Sequence, residues 1–85
     1  MIRLPTLHTR KIIQALERGG FLYFKQIGSH YILRHPENRR STSVPVHGRD
    51  IKRGLMKELL QQAGLSEEEF RRLLQAGKRL NRAIL

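Results

Sequence analysis

The order of apolar and polar residues divides the chain into six elements, α-β-β-β-α-α. From Thr9 to Arg18, Ile12, Ile13, Ala15 and Leu16 form one apolar stripe, with Arg10, Lys11, Gln14, Glu17 and Arg18 on the other side. That spacing predicts an amphipathic helix, and Gly19-Gly20 accepts the left-handed backbone that ends one. Phe21 to Ile27 is rich in aromatic residues and predicts a strand. Gly28-Ser29 predicts a tight turn, His30 to His35 a second strand, and Pro36 to Arg40 a hairpin loop. Ser41 to Val46 predicts a third strand, with Thr42, Val44 and Val46 on one face. Pro45 has no N–H for a ladder, so this strand is expected at a sheet edge.

Helical spacing returns after His47-Gly48, where Ile51, Leu55, Met56, Leu59, Leu60 and Ala63 share a face and Gly64 closes the run. Ser66 and Glu69 have the spacing of a capping box, and Phe70, Leu73 and Leu74 supply the apolar side of a last short helix. From Ala76 onward the chain is basic and reads as irregular, either a frayed extension or a short separate helix. The first strand is apolar at four consecutive positions, Phe21 to Phe24, which allows a sheet apolar on both faces. One face takes the helices. The other leaves Tyr23 or Tyr31 partly exposed, to stack on a base or to receive a partner protein.

Length and charge narrow the function. Eighty-five residues make one domain with a thin core. Seventeen Lys and Arg stand against seven Asp and Glu, a formal charge of +10. Such an excess implies a polyanionic partner: nucleic acid, an anionic membrane or an acidic protein. Cysteine is absent, which excludes disulfides, thiolate metal sites and cysteine nucleophiles and fits a reducing cytosol. No apolar run approaches the ~20 residues of a membrane span, and Met1 to Pro5 lacks a signal-peptide apolar region. The expected location is therefore cytoplasmic.

Certain motifs go further than periodicity. Gly19-Gly-Phe21, Gln26-Ile-Gly-Ser-His30, Arg34-His-Pro36, Val44-Pro-Val-His-Gly48, and Lys52-Arg-Gly-Leu55 followed by Gln62-Ala-Gly-Leu65 together resemble the HicA toxin family. The resemblance covers roughly residues 4 to 75, with the pieces in family order. It implies an α+β fold like the double-stranded-RNA-binding domain, with helices on one face of a three-stranded antiparallel sheet. It also implies an mRNA-cleaving toxin held inactive by a HicB-like antitoxin, with His30 at the catalytic position. On this reading, residues 1–75 are a single domain and 76–85 a basic extension. The Glu37 to Ser43 hairpin is slightly longer than the family pattern, and the tail after about Leu74 exceeds it. Neither departure touches Gly28-Ser29-His30.

The chemistry of His30 suits that role. A neutral imidazole takes a proton from a ribose 2′-OH, and the resulting alkoxide attacks the adjacent phosphorus without a metal. Gly28 and Ser29 let the backbone approach RNA closely. The plainer reading is a strand-start histidine that hydrogen-bonds the turn. His47 is a second proton donor or a helix cap, His35 a solvated turn residue, and His8 a cap or exposed. The histidines match no metal-ligand spacing and no carboxylate pair accompanies them, so no metal or other cofactor is expected.

Between Phe21 and Lys57 there are eight Lys or Arg and two acids. Strand alternation puts His30, Ile32 and Arg34 on one side, from which Arg34 is expected to reach the same phosphate as His30. Lys25 and Arg34 are placed to stabilise charge on a phosphorane. Arg53, at a helix start with free N–H groups, is a candidate phosphate contact. Each also reads as an ordinary surface cation. Two other functions stay open: a non-catalytic RNA-binding module, and a DNA-binding accessory domain using the Lys52 to Ala63 helix. The three-strand organisation and the lack of a clear helix-turn-helix argue against the last.

Overall fold

The structure, a computed structural model, describes residues 7–46 and 50–84. A two-residue strand β1 (Leu7–His8) leads into helix α1 (Thr9–Arg18). Strands β2 (Leu22–Ile27), β3 (His30–Arg34) and β4 (Ser41–Pro45) follow. A second short strand, β5 (Asp50–Ile51), precedes helices α2 (Arg53–Ala63) and α3 (Glu67–Ile84). The main sheet is antiparallel in the order β2-β3-β4, and β1 pairs with β5. The fold is therefore α+β, with a three-stranded antiparallel sheet and three helices, consistent with the double-stranded-RNA-binding arrangement.

The stripe on α1 becomes core: Ile12, Ala15 and Leu16 are fully buried. The helix ends where Gly20 takes a φ of 99°. Gly20 donates its N–H to the Glu17 carbonyl and Phe21 donates to the Leu16 carbonyl. This pair of bonds satisfies the last helical carbonyls and turns Phe21 into the core beside Leu16. Leu33 and Val44 come from the inner face of the sheet, Met56, Leu59, Leu60 and Ala63 from α2, and Phe70 from α3. At the start of α3, Ser66 and Glu69 cap each other reciprocally, Glu69 N–H to Ser66 Oγ at 3.0 Å and Ser66 N–H to Glu69 Oε1 at 2.9 Å. The box predicted from spacing is present.

Strand β4 is an edge, as Pro45 requires. His30 and Pro45 face each other without exchanging bonds, and Val46 N–H closes the ladder onto the Ser29 carbonyl at 2.7 Å. Proline therefore sits where its missing N–H is not needed. The outward N–H of Ser43 is taken by Gln62 Oε1 at 3.2 Å. The buried Thr42 hydroxyl donates to the Leu59 carbonyl at 3.0 Å. These bonds hold α2 along β4 and cover part of an exposed edge.

Two expectations are corrected. Ile51, read as the first residue of the second helical face, lies in β5; it is buried there, opposite Leu7. The segment from Ala76, read as irregular or as a separate helix, continues α3 without a break to Ile84. Gly77 lies within this helix, and its missing side chain makes room for Arg18. A Cβ there would stand 2.6 Å from the Arg18 guanidinium carbon, and Arg18 Nε donates to the Leu73 carbonyl at 2.7 Å. His47 and Arg49 lie outside the described residues, so the second-histidine candidate and that part of the basic loop carry no structural statement.

Candidate functional site

His30 begins β3 directly after a two-residue hairpin turn, with Ile27 as its partner on β2. Gly28 has a φ of 58°, and Ser29 is not among the residues with positive φ. Positive φ at the first central residue alone is the pattern of a type II′ turn, which matches strand twist and favours glycine at that place. A Cβ on Gly28 would meet nothing within 4 Å, so the space over the turn is open. The turn is held from both sides. Gln26 Nε2 donates to the Gly28 carbonyl at 3.0 Å, and Val46 N–H donates to the Ser29 carbonyl. Thr9 Oγ1 donates to the Pro45 carbonyl at 3.0 Å, which ties the start of α1 to the strand beside His30.

Leu33 is buried and Tyr31 half-buried against the helices, so His30, Ile32 and Arg34 project from the open face of the sheet. His30 is exposed. Lys25 is on this face too, opposite Ile32, and is therefore a diagonal neighbour of His30 at about 7–8 Å. Arg34 is four residues along β3 from His30, about 13 Å at ~3.3 Å per residue. Arg34 therefore stands at the other end of β3 from His30. Its guanidinium carbon lies 5.5 Å from the Phe24 ring centroid, and Lys25 Nζ lies 5.4 Å from the same ring. The two cations share Phe24 and form a group beside His30 rather than around it.

Phe24 is the residue that pattern reading missed. The β2–β3 register shifts between Tyr23 and Lys25. A bulge of this kind lets two consecutive residues oppose one and breaks strict alternation. Tyr23 pairs with Leu33 and meets Tyr31 on the helix side, ring centroids 5.0 Å apart. The aromatic ring on the open face is thus Phe24, with Leu22 and Ile27 beside it. The sequence signal for it was the unbroken apolar run Phe21 to Phe24, which no regular strand can bury on one side.

The remaining candidates separate. Arg53 opens α2, two residues after β5; β5 pairs with β1, which precedes Thr9, so Arg53 stands at the His30 end of the molecule but in the helix layer. It is half-buried, and its Nε is buried without a hydrogen-bond partner among the described residues. Lys52, before it, makes no side-chain cap. His8 is exposed and caps α1, its Nδ1 accepting from Arg10 N–H at 3.1 Å. His35, expected to be solvated, is half-buried instead. It stands edge-on to Phe21 with centroids 5.2 Å apart, and its Nδ1 accepts from Glu37 N–H at 3.2 Å. His35 therefore builds the hairpin. Among the described residues, no group of three or more His, Asp or Glu is placed to hold a metal ion. No described helix is long and apolar enough to cross a membrane. On the helix side of β3, Tyr31 and Val46 line an open cleft of about 490 Å³ with His8, Arg10, Ile13 and Glu17.

No curated protein matches the chain. A family model described as the HicA toxin of bacterial toxin–antitoxin systems matches residues 9–65. The match runs from the first residue of α1 to the turn before α3 and includes the whole sheet and the His30 turn. The chain belongs to the HicA toxin family.

Proposed function

We propose that this chain is a ribonuclease toxin that cleaves mRNA with His30 as the general base and needs no metal. The supporting observation is the placement of His30: exposed, on the open sheet face, at the end of a hydrogen-bonded turn with open space over Gly28, in a chain of a toxin family. The His30 imidazole takes the proton of a ribose 2′-OH. The 2′-oxygen forms a bond to phosphorus as the bond from phosphorus to the 5′-oxygen breaks, leaving a 2′,3′-cyclic phosphate. The departing 5′-oxygen receives a proton from solvent or from the imidazolium. Dependence on the 2′-OH restricts the reaction to RNA. Lys25, diagonal to His30, adds positive charge beside the phosphorane, while Gly28 and Ser29 allow the strand to approach. Arg53 is a phosphate contact at the same end of the molecule.

The natural inhibitor on this reading is a HicB-like antitoxin with an acidic surface, drawn to the +10 charge and covering His30. The compartment is the cytoplasm, where mRNA is present. The test is purified chain on RNA in EDTA, followed by characterisation of the new ends. Cleavage with 2′,3′-cyclic phosphate ends supports the reading. Binding without cleavage would favour a module that only holds RNA, in which His30 contacts phosphate.

A further inference from the structure

We propose that Phe24 is a stacking platform for a base of single-stranded RNA, with Lys25 and Arg34 holding the phosphates on either side. The proposal rests on RNA being the substrate of the His30 site and adds where the strand lies.

Phe21 and Phe70 are buried to 1% and 0% exposure, whereas Phe24 is 51% exposed on the open face of the sheet. Its ring therefore contributes little to the core, and a base that stacks on it meets the two cations that lie over the ring. The bulge places Lys25 beside it, and β3 brings Arg34 to the same ring. Both cations are within the ~6 Å at which a cation and a ring attract. Neither has a carboxylate partner: among the described residues the ion pair is Arg72 with Glu68, on α3. The three strands contain no Asp or Glu. An aromatic face flanked by unneutralised cations is the arrangement that binds single strands, through stacking and backbone charge.

Position supports the same occupant. Phe24 is three residues from Ile27, the partner of His30, or about 10 Å along the strand. Stacked nucleotides rise about 3.4 Å each, so a strand resting on Phe24 reaches His30 within roughly three nucleotides. A duplex offers no free base face to the ring, so the platform selects unpaired RNA. Leu22 and Ile27, 60% and 57% exposed, widen the apolar strip under the bases.

The experiment uses the full chain carrying His30→Ala, so that RNA is bound without being cut. A short unstructured RNA and the same sequence as a duplex serve as probes. Phe24→Ala is expected to weaken single-strand binding roughly 5- to 150-fold, the range for removing one stacked base. The salt slope should stay as it was, because no charge is removed, and duplex binding should be unaffected. The chain contains no tryptophan, so Phe24→Trp provides one fluorophore at the site. Its emission should be quenched by the single strand while affinity is retained, and this readout stands even if Phe24→Ala folds poorly. Undiminished single-strand binding by folded Phe24→Ala, an unquenched Phe24→Trp, or an equal loss on duplex would each overturn the proposal. So would a defect confined to binding an antitoxin, which would make the patch a protein interface. Cleavage that survives His30→Ala would remove the catalytic reading and leave the stacking result to stand by itself.

Discussion

Replacing His30 with alanine separates chemistry from folding. The side chain is exposed. The bonds that hold the turn come from Gln26 and Val46 to backbone carbonyls of Gly28 and Ser29, which alanine leaves in place. Exposed substitutions of this kind change stability by less than about 0.5 kcal/mol. For a chain of this size that is a melting shift below roughly 4 °C. Loss of a general base lowers a rate by about 10²–10⁴. The expected result is therefore a large loss of cleavage with almost no change in the melt. The assay compares parent and variant on one RNA in EDTA, with circular dichroism and a thermal melt on the same samples. Cleavage within a few-fold of the parent by a folded variant would refute the assignment. A variant that lost activity and melted far lower would show that His30 is a turn residue, contrary to its geometry.

Three further outcomes are expected. Charge removal at Lys25 or Arg34 should lower RNA affinity and flatten the dependence of log affinity on log salt by about 0.7 for each single-strand phosphate that is no longer neutralised; an unchanged slope with a lower melting point would make the residue structural. Hydrogen exchange on the complex with a HicB-like antitoxin should show new protection across Gly28 to Arg34, and an open segment in an inactive complex would mean that inhibition acts from a distance. The hydrogen bonds from Ser66, backbone first and then side chain, hold the Glu69 carboxyl below its ordinary 4.5. A carboxyl lowered in the folded state stabilises it above the unfolded pKa and loses that contribution as pH falls through the folded one. The stability difference between parent and Glu69→Gln should therefore shrink as pH drops below about 4.5, and a difference that persisted unchanged into acid would exclude the capping carboxylate as its cause.

The local rules of the chain were legible without coordinates. Helix α1 has the bounds its stripe predicts, because one apolar face and a following Gly-Gly act within a few residues. Gly28-Ser29 specifies its own turn, and Ser66 with Glu69 its own cap, for the same reason. Pro45 announces an edge because a missing N–H has the same consequence in any sheet. The family motifs likewise sit in short runs, and they carried the family assignment. What depended on pairing between distant residues was not legible. Gly77 lies inside α3 with Arg18, far away in sequence, in the space a side chain would take. Ile51 leaves the α2 face because β1 is there to pair with it. Lys25 is a diagonal neighbour of His30 as read, but strand rise and the β2 bulge also bring it, with Arg34, to Phe24. The bulge itself has no local signature beyond four apolar residues in a row, and which of them faces solvent is decided only when β3 and the helices occupy the other side.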